Sequence, residues 1–195
     1  MLAPYPIYPY GSRPKLLWPF TINENLAEII GLIIHNGKVM ANESEIIIRG
    51  TTSFPHMEPR LNHLLEPLDL QLNVKSRYWP GKYISNAPRI SNSEFTKTFL
   101  DLLECSRLDQ LMGLERVPNC IMSSPLPVQQ AFFVGYVSSC LGYIKTDQYY
   151  CFPYLTSFLP DLHEILKRLK IKSVIEEDHL ITDLGLPLAT FKECS

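Results

Sequence analysis

The sequence predicts an α+β fold made from one helix–strands–helix unit used twice. Two apolar segments about a hundred residues apart, 26–37 and 131–140, carry small residues at four-residue spacing. These are Ala27 and Gly31 in the first, and Ala131, Gly135 and Ser139 in the second. Residues four apart share a helix face. Each segment therefore presents a stripe of Ala, Gly and Ser flanked by Leu, Ile, Phe and Val, which lets two backbones approach closely. After each segment come β-branched and aromatic runs, and then an amphipathic helical pattern.

The elements follow in order. In the arm (1–20), residues 1–10 alternate Pro with Tyr and apolar residues, which predicts an extended, polyproline-like strand presenting its tyrosines. The arm either wraps the chain's own core or docks on a partner. Thr21-Ile22-Asn23-Glu24 matches a capping box with Thr21 as the cap, and it opens a helix that Gly37 should end. The run 45–50 is β-branched and ends at Gly50, a strand. Residues 56–65 form a short helix with Leu61, Leu64 and Leu65 on its apolar side. Residues 70–78 alternate and turn at Trp79-Pro80-Gly81 into 82–84, a hairpin. Ser91-Asn92-Ser93-Glu94 is a second capping box, and Phe95, Phe99, Leu102 and Leu103 give the stripe of the helix behind it.

The pattern weakens over 105–113, which reads as the linker between repeats. Ser124-Pro125 then reads as a cap with Pro at the first helical position of the second small-residue helix. Strands are expected over 142–145, 149–156 and 171–175. An amphipathic helix carrying Leu162, Ile165, Leu166 and Leu169 precedes the last of them. The expected organisation is an arm (1–20), a first repeat (21–113) and a second, shorter repeat (114–195) that lacks part of its sheet.

Composition bounds the function. A chain of 195 residues with 46% hydrophobic content buries a sizeable core and is not a disordered chain. A net charge of −2 is low for a protein that clamps a long duplex, because displacing counterions requires a surplus of Lys and Arg. The five cysteines show no CxxC spacing and read as buried thiols in a reducing compartment. No apolar run approaches the ~20 residues of a membrane-spanning helix.

The run Gly31-Leu32-Ile33-Ile34-His35-Asn36-Gly37 resembles the second half of the motif of LAGLIDADG homing endonucleases. The Arg116-Val117-Pro118 approach to the second helix, and the 166–174 run Leu-Lys-Arg-Leu-Lys-Ile-Lys-Ser-Val, are similar to other parts of that family. The resemblance implies a pseudo-twofold fold with two central motif helices and flanking antiparallel sheets. It also implies that the last acid of each motif would hold the divalent metals that cut DNA. Counted from the motif glycines, those positions hold Asn36 and Cys140, and the preceding acids are replaced by Ile34 and Ser138. Neither an amide nor a thiol offers the hard anionic oxygens that Mg²⁺ prefers. The expectation is therefore a degenerate member that is not an enzyme, with no catalytic residue, no metal and no cofactor. At the residue level, Asn36 beside Gly37 is read as satisfying helix-end backbone groups, Cys140 as a structural thiol and His35 as a packed or surface histidine.

In the family the sheet faces bind DNA. The corresponding cations and aromatics here are Arg49, Lys75, Arg77, Tyr78, Trp79, Lys82, Tyr83 and Arg89. Interleaved Lys or Arg with Tyr and Trp over 75–83 suits single-stranded or loop RNA, aromatics stacking on bases while cations meet phosphates. The same run also reads as an amphipathic hairpin with one aromatic face packed inward. Lys167, Arg168, Lys170 and Lys172 form a basic patch that complements a helix C-terminus or meets RNA phosphate. The strands over 149–155 carry almost no cations, which argues against a symmetrical DNA saddle.

The resemblance implies an RNA-binding structural subunit of a ribonucleoprotein, a mitochondrial (alternatively chloroplast) ribosome or an intron-splicing complex. Its partners would be rRNA or intron RNA and neighbouring proteins, with no membrane and no small-molecule substrate. The rivals are a protein-interaction subunit without nucleic-acid contact and an active DNA endonuclease with atypical metal ligands.

Overall fold

The computed structural model describes residues 8–10, 13–15, 22–39, 45–48, 54–74, 88–104, 114–139, 141–145, 148–152 and 156–183. In chain order the elements are β1 (Tyr8–Tyr10), β2 (Arg13–Lys15), α1 (Glu24–Asn36), β3 (Gly37–Val39), β4 (Glu45–Ile48), α2 (Phe54–Leu65), β5 (Leu72–Val74), β6 (Pro88–Ser91) and α3 (Ser93–Leu102). There follow α4 (Asn119–Met122), α5 (Leu126–Ser139), β7 (Leu141–Lys145), β8 (Gln148–Phe152), α6 (Leu159–Arg168), β9 (Ser173–Glu176) and β10 (His179–Asp183). The chain divides into two compact units, residues 1–21 with 36–111, and residues 22–35 with 112–195. Helix α1 thus opens the first repeat in sequence, yet nearly all of it packs in the unit that holds the second.

The first unit contains an antiparallel sheet in the order β3-β4-β6-β5. Ile46 stands opposite Ile90 and shares its face with Ile48, all three buried, and α3 packs against β4. Phe95, Phe99, Leu102 and Leu103 are buried, as are Leu61, Leu64 and Leu65 of α2. The cap of α3 is Asn92, whose Oδ1 accepts from the Phe95 N–H at 2.9 Å. Ser91, the first residue of the expected capping box, belongs to β6 instead. The amide oxygen of Asn is at least as good a cap acceptor as a hydroxyl, and the one-residue shift frees Ser91 for the sheet. The strand paired with β5 is β6, with Asn73 opposite Arg89. The expected return strand over 82–84 lies outside the described residues, as does the linker over 105–113. In the arm, β1 and β2 form an antiparallel ribbon with Tyr8 opposite Lys15. The described part of the arm is therefore a two-stranded ribbon, not a single polyproline-like strand.

The second unit is built on α1, α5 and α6 over a sheet in the order β7-β8-β10-β9. That order, first strand to second, then fourth, then third, is the order found in the first unit. The second repeat therefore keeps a complete four-stranded sheet, contrary to the expected loss, because the unread strand β10 pairs with both β8 and β9. Its hydrophobic centre joins Phe132, Tyr136 and Phe158, with ring centroids 5.9 and 5.6 Å apart in sequence order, to Leu159, Leu162, Ile165 and Leu166 of α6. Asp161, buried in the first turn of α6, accepts from the Val117 N–H at 3.0 Å and from Arg116 Nη2 at 3.0 Å. The exposed Arg116 guanidinium is held above its ordinary pKa by that hydrogen bond and by the Asp161 charge.

The link from helix to third strand is also built alike in the two units. Helix α2 passes through the 3-10 turn Glu66–Leu68 to Asp69 in left-handed backbone (φ 52°), and the Leu70 N–H returns to the Leu65 carbonyl at 3.1 Å. Helix α6 ends on left-handed Lys170 (φ 60°), and the Ile171 N–H returns to the Leu166 carbonyl at 2.9 Å. With the shorter returns from Asp69 to Glu66 and from Lys170 to Lys167, each is a Schellman closure.

Candidate functional site

The residues singled out by the motif lie along α1 and α5. Asn23 caps α1, its Oδ1 accepting from the Leu26 N–H at 2.9 Å, so the cap falls two residues after the expected Thr21, which lies outside the described residues. From Leu26 to Ile34 every residue of α1 is buried, Glu28 included, which is the pattern of a helix enclosed on all sides. At the start of α5, Pro125 precedes Leu126 and its carbonyl accepts from the Gln129 N–H at 3.2 Å. The Ser124 hydroxyl donates back to the Cys120 carbonyl at 2.6 Å rather than capping the helix. Gln129 completes this entry, its Nε2 donating to the carbonyls of Met122 and Ser124 at 2.8 and 2.9 Å.

The two helices cross at their glycines. A Cβ on Gly31 would stand 2.6 Å from the Tyr136 nitrogen and closer still to the Phe132 carbonyl oxygen. A Cβ on Gly135 would collide with the Glu28 carbonyl oxygen and lie 3.0 Å from its carbon. Ala27 is fully buried, whereas Ala131 is half-buried. The buried Ser139 hydroxyl donates to the Tyr136 carbonyl at 2.7 Å and reaches the Gly31 carbonyl across the crossing at 3.4 Å.

Each helix is followed in the chain by the first strand of a sheet. Asn36 is the last residue of α1 and Gly37 the first of β3; Ser139 ends α5 and Leu141 begins β7. Asn36, one of the two acid positions of the motif, is thus the last helical residue before β3, five residues and about 7.5 Å along the axis from Gly31. Cys140 lies outside the described residues. In the sequence the motif's acid positions hold an amide and a thiol, and neither offers the carboxylate oxygens that hard divalent cations take. Glu28 lies on the other side of the crossing, one turn before Gly31. Glu43 and Asp147, acids that follow these helices in the chain, lie outside the described residues.

The sheet faces differ in chemistry. In the first unit the register places Lys38, Ile47, Arg89 and Asn73 in one row, on the face opposite Ile46 and Ile90. Arg89 is buried, its Nη1 donating to Glu45 Oε2 at 2.9 Å, while the Ser91 hydroxyl donates to Glu45 Oε1 at 3.0 Å. The rest of the sequence-read interface, Arg49, Lys75, Arg77, Tyr78, Trp79, Lys82 and Tyr83, lies outside the described residues. In the second unit one row holds Tyr143, Tyr150, Ile181 and Val174, and Lys145 is the one Lys or Arg among the described strand residues of that sheet.

In the basic patch, Arg168 is committed to structure, Nη1 donating to the Met122 carbonyl at 3.0 Å and Nε to Glu164 at 3.2 Å. Lys167, Lys170 and Lys172 are exposed. Sequence reasoning missed Glu45 and Asp161, because their partners lie more than forty residues away in the chain.

No protein-family model matches the chain, and no curated protein matches it in sequence. Solved structures do. The homing endonuclease I-DmoI in complex with DNA and Mn superposes with a TM-score of 0.53 at 16% identity, covering 88% of this chain and 95% of that one. Mesophilic variants of I-DmoI give 0.51 at 16% identity, over 86% and 92%. Full-length DUF199/WhiA from Thermatoga maritima gives 0.48 at 16%, over 88% of this chain and 54% of that one. The mixed helices and antiparallel sheets described above, matched over most of the chain, have the LAGLIDADG-like fold of these homing endonucleases.

Proposed function

We propose that the protein is a catalytically inactive LAGLIDADG-like protein that binds RNA as a structural subunit of a ribonucleoprotein, an organellar ribosome or intron-splicing complex, in the mitochondrion or alternatively the chloroplast. One observation carries this reading. The small-residue helices cross at Gly31 and Gly135, yet the sequence holds Asn36 and Cys140 at the positions where the motif has metal-binding acids. Such a chain retains a nucleic-acid-binding scaffold and lacks the ligands for cutting. The net charge of −2 and the cation-poor sheet of the second unit favour one-sided RNA contact through 75–83 over a duplex saddle.

One observation favours the rival of a protein-interaction subunit: Arg89 spends its charge on Glu45 inside the first unit. Ultraviolet crosslinking in an organelle extract separates the two readings. The RNA reading expects a defined RNA to be recovered, and recovery to fall about tenfold for Arg77→Ala with Trp79→Ala, as the loss of a stacking platform and a phosphate contact requires. Recovery of no RNA, or recovery unchanged in the double variant, supports the protein-interaction subunit and overturns the proposal.

A further inference from the structure

We propose that β9 is a homotypic edge, through which two copies of the chain join their second-unit sheets in antiparallel fashion about a twofold axis at Val174. Among the described residues β9 is the end strand of its sheet. Its side chains Val174 (56% exposed) and Ile175 (37%) are two of the few large hydrophobics left exposed among the described residues. An open edge with apolar side chains is a template for another strand.

The backbone direction follows from the register. Glu176 faces His179, Val174 faces Ile181, and the Lys172 carbonyl accepts from the Asp183 N–H at 3.3 Å. Residues 172, 174 and 176 therefore spend their N–H and C=O groups on β10. By antiparallel alternation, Ser173 and Ile175 turn theirs to the open edge.

The occupant is a second copy because the strand is complementary to itself when reversed. With Val174 on the axis, Ser173 of each copy stands opposite Ile175 of the other, and those are the residues with outward groups. The pair exchanges both backbone hydrogen bonds, and symmetry doubles them. Lys172 then stands opposite Glu176 of the other copy, and Val174 opposite Val174, in the positions where cross-strand side chains come closest. Lys170 and Asp178 extend the same polarity at the rim. Shifting the register by two residues in either direction places Val174 against Lys172 or Glu176 and loses the match. The corresponding edge of the first unit, Leu72–Val74, has no charged residue and no such complementarity. A contact of two short strands makes a transient dimer, far smaller than a permanent interface.

The test is sedimentation velocity of the full chain over a concentration series at low and high salt. The expected result is a reversible, salt-sensitive dimer. Lys172→Glu makes the strand acidic and Glu176→Lys makes it basic, so each variant alone should dissociate at about tenfold higher concentration or more. The equimolar mixture of the two, and the double variant carrying both changes, should associate like the parent. Ile175→Pro, which removes an outward N–H, should abolish association, with circular dichroism reporting a folded chain. A monomer at every concentration, a dimer indifferent to both single charge reversals, or a mixture that fails to associate would each overturn the proposal.

Discussion

Gly31 of α1 and Gly135 of α5 meet across the helix crossing, so that a Cβ on Gly31 would lie 3.0 Å from the Gly135 carbonyl carbon. Glycine in mid-helix costs about 1 kcal/mol relative to alanine, so its presence in both helices reflects the approach of the partner backbone. Gly31→Ala and Gly135→Ala are each expected to destabilise the protein by about 2 kcal/mol, because backbone atoms cannot swing aside as a side chain can. Urea unfolding reads this directly. A gain in stability, as helix propensity alone demands, would contradict the close crossing.

Glu45 anchors the face of the first sheet opposite Ile46 and Ile90 by accepting from Arg89 and Ser91. Glu45→Ala leaves a buried guanidinium uncompensated and is expected to cost about 3 kcal/mol. Arg89→Met, which removes the charge and keeps much of the volume, should cost clearly less. Equal losses would show that the ion pair is not what holds Arg89.

Asp161 and Arg116 form an unequal pair, with side-chain exposures of 8% and 75%. Asp161→Ala strips the buried Val117 N–H of its acceptor and is expected to cost about 2 kcal/mol. Arg116→Ala should cost less, since its guanidinium stands in water whether or not the pair forms. Chemical denaturation of both variants checks the order.

Lys170 closes α6 in left-handed backbone at φ 60°, a conformation that disfavours a Cβ. Lys170→Gly is expected to raise stability by about 0.5–1 kcal/mol, the relief of strain outweighing the added freedom of the unfolded chain. A rise in thermal midpoint without change in the folded spectrum is the expected reading.

The helices were legible in the sequence because each carries its own period: the four-residue spacing of Ala27 and Gly31, and the Phe95, Phe99, Leu102 stripe. Their starts were misread by one or two residues. Ser or Thr followed by Glu matches a capping box, but the neighbouring Asn supplies the cap in α1 and α3. The strands β6 and β10 escaped notice for different reasons. β6 begins with Pro88 and holds one aliphatic residue, so its existence depends on β4 and β5 alongside. β10 follows a turn at Glu177-Asp178, with Glu177 left-handed at φ 51°. That pair lacks the Asn-Gly signature by which such turns are read. In the sequence Arg89 reads as a nucleic-acid-facing cation because the family resemblance places it among the sheet-face cations. Its partner Glu45 belongs to an adjacent strand, and only the fold brings the two together.

The central claim is that the helix crossing survives while the metal-binding acids of the motif do not. The most direct measurement incubates the purified chain with Mg²⁺ or Mn²⁺ and a library of DNA duplexes, and looks for nicks by sequencing the ends. The account predicts no metal-dependent cleavage, and none from Asn36→Asp with Cys140→Asp alone. Reproducible metal-dependent cutting by the unaltered chain would contradict it.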